Sequence, residues 1–343
     1  MQNAITFARP DDWHQHLREG EAITTPLAHA AEQFGRIMVM PNLRQPICSS
    51  AQLGAYLAAI HQRMPQHSKL QVYGTLYLSP EITPVELATC MREQPLLAVK
   101  WYPRGVTTNS ALGVNQVEAC YPLFAAMQNL GVVLSVHGEV HNQEVDIFDR
   151  EAEFIHRVLS PLMQQFPQLR IVLEHISTSV AVDFLHQYGG ARLAATITAH
   201  HLLINRNNLL AGGIKPHLYC LPLAKREQDR QALVQAAISG KEYFFLGSDS
   251  APHPKTDKES ACGCAGCYTG AHVLELYAEA FDSAGAIDKL PDFASRFGAE
   301  FYRLPAAQGN IRLERSEHLV PQNYGDIVPF WAQRKLHWRV KVL

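Results

Sequence analysis

Eight short apolar runs rich in β-branched and aromatic residues recur along the chain, and most are followed by a longer segment with helical periodicity. The runs are 5–16, 36–42, 71–78, 96–103, 132–139, 170–177, 193–202 and 243–253. This alternation predicts parallel β/α architecture, and eight units match a (β/α)8 TIM barrel, which usually has about 250 residues. We predict one barrel domain over 1–343, in which roughly 290–343 is a loop-like extension with short strands that packs on the barrel.

Helices are predicted between the runs, and two proline pairs support their turns. The predicted helices are 49–63, 115–129, 150–166, 180–188, 225–239 and 270–284. Thr83-Pro84 and Ser160-Pro161 place proline after a small polar residue, as at a turn or a first helical position.

Charge and composition exclude several classes of partner. The 30 Lys and Arg residues nearly balance 32 Asp and Glu, and no basic block exceeds two residues, so we expect no nucleic-acid partner. No signal-like stretch opens the chain, and no run of about 18 apolar residues occurs, so we expect a soluble cytoplasmic protein without a membrane partner. Seven cysteines, an odd number, suggest reduced thiols.

Polar residues end five of the apolar runs, where a strand buried on both faces should be apolar. They are His14 with His16, then Lys100, His137, His175 after Glu174, and Asp249 after Ser248. Because the carboxyl ends of barrel strands form one face, we expect these side chains to converge on a site.

Two histidines at i and i+2 of a strand point to the same side and can share a metal ion. Alone, His14 and His16 could equally be a surface or hydrogen-bonded pair. With His137, His175 and Asp249 at other strand ends, four imidazoles and a carboxylate suit zinc.

Lys100 is the unexpected residue in this group, because an ammonium group facing a cluster of metal ligands is desolvated and is repelled by the cations they bind. It could form a structural ion pair with Glu139 or Glu174. Alternatively, the neutral amine reacts with CO2 to give a carbamate (N6-carboxylysine) that bridges two cations. Two Zn2+ ions, the carbamate, Asp249 and a bridging hydroxide would then leave a net charge of about +1, suited to polarising a carbonyl.

The motifs together resemble the amidohydrolase superfamily and, within it, the short, single-function dihydroorotase family of bacteria. The matching segments are Asp12-Trp13-His14-Gln15-His16-Leu17-Arg18, Met40-Pro41-Asn42-Leu43, Lys100-Trp101-Tyr102-Pro103, Thr107-Thr108-Asn109-Ser110, Glu174-His175-Ile176-Ser177, Gly247-Ser248-Asp249-Ser250-Ala251-Pro252-His253 and Cys262-Gly263-Cys264-Ala265-Gly266-Cys267. The resemblance runs from residue 5 to about 285. It implies reversible interconversion of N-carbamoyl-L-aspartate and L-dihydroorotate in pyrimidine biosynthesis, by a homodimer.

The resemblance also implies roles for single residues. His14, His16, Lys100 and Asp249 would hold the more buried zinc, and carboxylated Lys100, His137 and His175 the second. A hydroxide would bridge the two ions, with Asp249 as general acid and base.

The substrate contacts are implied in the same way. Arg18, Asn42 and His253 would bind the substrate carboxylate, assisted by the Ala265 backbone, and His137 and Leu221 would also contact substrate. Thr107 and Thr108 would belong to a lid, although by composition alone 105–113 suits a plain solvated loop.

Several alternatives stay open. Cys262, Cys264 and Cys267 with Cys220 could form a four-thiolate zinc site, although the resemblance places this stretch against substrate. His200 and His201 are expected near the pocket without being ligands. Rival functions are another cyclic amidase, such as a hydantoinase or allantoinase, and a catalytically silent barrel acting as a scaffold. The trio of Arg18, Asn42 and His253 favours a substrate with a ring carboxylate.

Overall fold

In the computed structural model, which describes residues 3–114 and 116–343, eight parallel strands pair in sequence order into a barrel. These strands are β2 Asp11–Gln15, β3 Arg36–Val39, β4 Gln71–Tyr77, β5 Leu96–Trp101, β6 Val133–His137, β7 Ile171–Glu174, β8 Leu193–Ile197 and β9 Phe244–Leu246. The predicted (β/α)8 barrel is therefore confirmed.

The barrel closes between β9 and β2 through the segment that follows β9. Ser248 donates to the buried Asp12 carboxylate from its backbone N–H at 2.8 Å and from its hydroxyl at 2.5 Å. The Asp249 N–H donates to the His14 carbonyl at 2.9 Å. Gly247 lets this segment lie between β8 and β2, because a Cβ there would lie 2.6 Å from Thr196 Cγ2 and 3.2 Å from His14 Cβ. Closure thus fixes Asp249 beside β2.

The barrel interior and its amino-terminal end share one apolar cluster. Inward-facing residues such as Met38 and Phe245 contact Phe297 and Tyr302 from the C-terminal segment. Trp13 stacks on Tyr302 with ring centroids 4.6 Å apart. The end of the barrel opposite the predicted site is therefore filled by side chains.

Thirteen α-helices lie within the described residues. They are α1 Thr24–Gln33, α2 Ser50–Gln62, α3 Pro84–Glu93, α4 Tyr121–Leu130, α5 Arg150–Phe154, α6 Ser160–Gln165, α7 Ser179–Tyr188, α8 Ala199–Leu203, α9 Arg206–Leu210, α10 Glu227–Ile238, α11 Lys255–Lys258, α12 Val273–Ser283 and α13 Phe297–Phe301. Short 3-10 helices are Gly20–Ile23, Val117–Cys120, Pro216–Leu218, Gly270–His272 and Ile287–Lys289, and π-helical turns are Ile155–Leu159 and Asp292–Arg296.

The six predicted helices are present, with ends that differ by a few residues. Asn115, where one of them was predicted to begin, lies outside the described residues. Thr83 caps α3, which starts at Pro84 as predicted. Pro161 instead follows the π-turn Ile155–Leu159 without ending the helix, because the wider turn relieves the clash that proline makes with the preceding turn. Of α3, only the starting pair Thr83-Pro84 was recognised, and α1, α8, α9, α11 and α13 were not predicted. Helix α8, Ala199–Leu203, also corrects the run 193–202, in which the strand ends at Ile197.

The first apolar run is two strands, which corrects the prediction of one. Strand β1, Ala4–Ala8, leaves the barrel and pairs antiparallel with β10, Asn310–Leu319, which pairs in turn with β11, Lys335–Val342. Arg9 and Pro10 separate β1 from β2. The C-terminal segment is also more regular than expected, since it holds α13 and strands of ten and eight residues. Ile311, Leu313, Leu336 and Trp338 alternate with more exposed residues and supply the buried face of these strands.

No helix within residues 3–114 and 116–343 is both long and apolar enough to cross a lipid bilayer. All seven cysteines are free thiols.

Candidate active site

The polar residues that end the apolar runs lie together at the carboxyl ends of the barrel strands. One pocket is lined by His14, His16, Arg18, Asn42, Tyr102, Thr107, Thr108, His137, His175, Leu221, Asp249, Ala251, Ala265 and Gly266. Lys100 is fully buried on β5, and His253 contacts Arg18. The structure therefore brings together the residues that the sequence singled out.

His14, His16 and Asp249 form the tightest group in the pocket. The Asp249 Oδ1 atom lies 3.1 Å from His16 Nε2 and 3.5 Å from His14 Nε2. Burial alone would raise the pKa of Asp249, but the His16 hydrogen bond and the histidines around it hold that pKa well below its usual value. The carboxylate is therefore charged at neutral pH and can serve as a ligand or a base.

Two buried carboxylates orient the histidines from behind. His14 donates from Nδ1 to Glu174 Oε2 at 2.9 Å, and His137 donates from Nε2 to Glu139 Oε2 at 2.9 Å. Each bond fixes the tautomer and leaves the other ring nitrogen with its lone pair. Metal-binding histidines in proteins are held in this way.

Lys100 and His175 carry buried polar atoms without a hydrogen-bond partner in the described part of the chain, namely Lys100 Nζ and His175 Nδ1. Glu174 does not pair with Lys100, because its oxygens accept from His14, Ser135 and Thr196. Burial lowers the pKa of Lys100 to about 8, so an appreciable share of the amine is neutral near neutral pH. The structural ion pair with Glu139 or Glu174 is thus not formed.

These residues fit a metal centre on chemical grounds. The ligand atoms of His14, His16 and Asp249 lie within 4.8 Å of one another, and all three residues are buried. His137 and His175 are adjacent, with ring centroids 4.7 Å apart. Buried lone pairs and an unpartnered amine are costly unless a ligand satisfies them. The donor set of imidazoles and a carboxylate matches zinc.

A positively charged group faces the pocket from the other side. The Arg18 guanidinium donates to the Pro252 carbonyl at 2.9 Å and to His253 Nε2 at 2.8 Å. These contacts fix the guanidinium at the pocket wall, where Asn42 and Ala265 also lie. The arrangement suits a carboxylate, which a planar guanidinium pairs with bidentately.

The loop that contains Thr107 and Thr108 covers the pocket. Asn42 donates from Nδ2 to the Thr108 carbonyl at 3.1 Å, and Asn109 donates from Nδ2 to the Asn42 carbonyl at 3.0 Å. The Thr108 hydroxyl donates to the Ala265 carbonyl at 3.2 Å. The loop therefore bridges two walls of the pocket, and whether it opens stays a prediction.

Three site residues have a left-handed backbone, with φ of 65° at Arg18, 40° at His175 and 45° at Asp249. A non-glycine residue in this region costs roughly 1–3 kcal/mol unless its surroundings enforce it. At Asp249 the surroundings are the hydrogen bonds that close the barrel. Nothing in the sequence signals these conformations.

Sequence reasoning missed Lys258, which shapes the pocket wall from outside. Its buried ammonium group donates to the carbonyls of Tyr219 at 2.9 Å, Cys264 at 2.7 Å and Gly266 at 2.9 Å. These bonds hold the segment that carries Ala265. Its partners are backbone atoms, so no residue pattern could reveal the contact.

The cysteines of the alternative zinc site and the His200–His201 pair do not belong to the metal-ligand cluster of the pocket. Within the described residues, Cys220, Cys262, Cys264 and Cys267 do not form a common metal-ligand group, since Cys262 is exposed while Cys220 and Cys267 are buried. His200 and His201 lie on α8 close to Cys220 and do not line the pocket. His201 donates from Nε2 to the Pro222 carbonyl at 3.0 Å, and its Nδ1 accepts from the Thr198 hydroxyl at 2.8 Å.

Comparisons with known proteins agree with the motifs. A dihydroorotase from Cupriavidus taiwanensis is 50% identical over 345 residues, which cover 99% of this chain and 100% of the relative. The crystal structure of the Saccharomyces cerevisiae dihydroorotase in complex with 5-fluoroorotic acid has a TM-score of 0.91 at 35% identity and covers 99% of both chains. No family model matches the chain.

A more distant structure shares the fold alone. The L-hydantoinase (dihydropyrimidinase) from Arthrobacter aurescens has a TM-score of 0.82 at 15% identity, covering 98% of this chain and 84% of that one. The hydantoinase thus shares the barrel, whereas relatives at about half identity over the full length are dihydroorotases. Relatives at about half identity over nearly every residue, together with the motifs at the strand ends, show that the chain belongs to the dihydroorotase family.

Proposed function

We propose that this chain interconverts N-carbamoyl-L-aspartate and L-dihydroorotate through the pocket at the carboxyl ends of the barrel strands. The observation that carries the proposal is the pairing of a metal-ligand cluster with a fixed guanidinium, Arg18, in one pocket. A cyclic amide with a ring carboxylate needs both features. Hydantoins and allantoin lack that carboxylate, so the position of Arg18 disfavours a hydantoinase or allantoinase.

Membership of the dihydroorotase family implies a metal, and His14, His16 and Asp249 form a candidate site for it. The finer proposal is two zinc ions, one held by His14, His16, Lys100 and Asp249, and one by Lys100, His137 and His175. Lys100 would join both as N6-carboxylysine. When bound, the ions would supply Lewis acidity and a water-derived nucleophile near neutral pH.

Asp249 is the residue we assign to proton transfer. In ring opening, its carboxylate takes a proton from the attacking water and delivers it to the departing amide nitrogen. In ring closure, it takes the proton from the ureido nitrogen and returns it with the oxygen that leaves the carboxylate carbon. The barrel-closing bond from the Asp249 N–H to the His14 carbonyl fixes the backbone that carries this group.

The remaining residues bind and orient the substrate. Arg18, Asn42 and His253 would hold the ring carboxylate, with the Ala265 backbone, His137 and Leu221 completing the contacts. The loop carrying Thr107 and Thr108 would exclude bulk water while it spans Asn42 and Ala265.

Location, oligomeric state and domain organisation complete the proposal. The balanced charge and the seven free thiols support a cytoplasmic location. A homodimer is what the family implies, and light scattering of the purified protein tests it. We also propose that 1–343 folds as one domain, because β1 pairs with β10 from the C-terminal segment and α13 packs against residues of the barrel.

The first experiment measures L-dihydroorotate consumption by the purified protein beside a sample stripped with a chelator. We expect turnover that disappears on stripping and returns with zinc. No turnover by the zinc-loaded protein would overturn the proposal, and hydantoin and allantoin would then be assayed before a silent scaffold is considered.

A second arm tests the carboxylate assignment with Arg18→Met. We expect KM for L-dihydroorotate to rise by about 10-fold or more, since a charge-assisted bond contributes roughly 1.5–3 kcal/mol, while the metal content stays unchanged. Unchanged KM would show that Arg18 does not bind substrate. Loss of bound metal would show that it supports the site as a whole.

A further inference from the structure

A second histidine and carboxylate cluster lies outside the active-site pocket. His272 ends the 3-10 helix Gly270–His272, Glu275 lies in the first turn of α12, and His318 lies on β10. Their ligand atoms lie within 4.8 Å of one another. Glu275 Oε2 is 2.5 Å from His272 Nδ1 and 3.2 Å from His318 Nε2, so one oxygen faces two imidazoles.

Each member of the cluster has an outer partner that fixes its orientation. His318 donates from Nδ1 to the Ser316 carbonyl, 3.2 Å away. The Nε2 atom of His272 lies 2.8 Å from the Tyr324 hydroxyl. Glu275 Oε1 accepts from the Val340 N–H at 3.0 Å. Histidine and carboxylate ligands of metals are held by outer bonds of this kind.

The bond to Ser316 has a direct electrostatic consequence. A carbonyl only accepts, so Nδ1 of His318 carries the proton and Nε2 of the neutral ring presents a lone pair. That lone pair points at a carboxylate oxygen, 3.2 Å away, which is also an acceptor. Two acceptors at this distance repel unless a proton or a metal ion lies between them.

We propose that His272, Glu275 and His318 form a metal site, separate from the active site, that binds one divalent transition-metal ion. Two imidazole nitrogens and one carboxylate oxygen match zinc, with a fourth position left for water. Glu275 is buried, whereas the side chains of His272 and His318 are 12% and 9% exposed, so an ion can enter from solvent.

The ion would join two segments of the chain, the start of α12 and β10, and Tyr324 would support it through His272. Helix α12 packs on the barrel, β10 belongs to the antiparallel sheet, and Tyr324 reaches the cluster from the connection between β10 and β11. The site would therefore tie the antiparallel sheet to the barrel without taking part in catalysis.

The test compares zinc binding by the catalytically loaded enzyme and by His318→Gln, using equilibrium dialysis and metal analysis. The wild-type protein should bind one equivalent more than the variant, and the two should turn over L-dihydroorotate equally. Co2+ added to the loaded wild-type enzyme should give visible absorption bands that His318→Gln lacks. If His318→Gln does not fold, His272→Gln is used in the same comparison.

His337→Gln is the matched control. His337 also contacts two carboxylates, Glu279 at 3.1 Å and Glu317 at 3.8 Å, but its side chain is 56% exposed. We expect this variant to bind as much zinc as the wild-type protein. Equal zinc binding by wild type, His318→Gln and His272→Gln would overturn the proposal, because the cluster would then be an imidazolium and carboxylate network or the ion would lie elsewhere, for example at Cys262 and Cys264.

Discussion

The two ends of the barrel each bury a basic side chain, Arg36 and Lys100, but of these two only Arg36 has hydrogen-bond partners in the part of the chain that the structure describes. At the amino-terminal end, Arg36 donates to Asp11 from Nε at 2.8 Å and from Nη2 at 2.6 Å, and to the Pro305 carbonyl from Nη1 at 2.7 Å. At the carboxyl-terminal end, Lys100 is equally buried, and its Nζ atom has no hydrogen-bond partner among the described residues. The chain itself satisfies the buried Arg36, whereas it leaves the amine of Lys100 available to a ligand.

The largest effect is expected for Lys100→Ala. Turnover should fall by more than the roughly 10²–10⁴-fold that loss of a general acid or base costs, because the bridging ligand is removed and metal content falls with it. Short carboxylic acids should restore part of the activity by filling the vacated space. Turnover near wild type with full metal would show that Lys100 is not a ligand, and the two ends of the barrel would then differ less than we infer.

The second largest effect is expected for Asp249→Asn, which should reduce turnover by about 10²–10⁴-fold in protein saturated with zinc. The asparagine amide keeps the shape of the aspartate side chain and one of its oxygen atoms, but it cannot accept the proton that is transferred in the reaction. The measurement is kcat at several pH values with metal content determined in parallel. Retention of the wild-type kcat would remove Asp249 from proton transfer.

Arg36→Met tests the opposite end. Leaving the buried Asp11 carboxylate unpaired should lower the free energy of unfolding by about 3–5 kcal/mol, as measured by urea denaturation. Turnover per folded molecule should not change. The double variant Asp11→Asn with Arg36→Met should recover much of the stability. A change in kcat of the folded single variant would show that the two ends are coupled.

Glu139→Gln should give the smallest effect, because the substituted residue orients a ligand without being one. Zinc affinity at the site should weaken by about 10–100-fold, measured by competition with a chromogenic chelator, while kcat at saturating zinc changes little. Glu153→Gln, on the solvent side of α5, is the control and should match wild type. Unchanged affinity in Glu139→Gln would mean that the bond to His137 is not needed to orient the ring.

The barrel and most of the pocket could be predicted because strand ends are conspicuous in sequence. A lysine or histidine that ends an apolar run, such as Lys100 or His137, violates the pattern of a doubly buried strand. By contrast, the first run hid two strands, because only Arg9 and Pro10 separate the apolar β1 from β2, which is fully buried although four of its five residues are polar. Lys258 could not be predicted, because its three acceptors are backbone carbonyls. The left-handed backbone of His175 could not be predicted either, because its surroundings set it and the position is not a glycine.

The pairing of β1 with β10 constrains the order in which the chain can be assembled on a ribosome. Ala4 pairs with Glu314, so β1 has no partner until some 310 further residues have been made. At about 5–20 residues per second, that wait lasts roughly 15–60 seconds. During this interval the apolar residues of β1, Ile5 and Phe7, stay uncovered by their final neighbours. Formation of the small sheet is therefore a late step of biogenesis. The nascent chain carries an unpaired apolar strand during most of its synthesis.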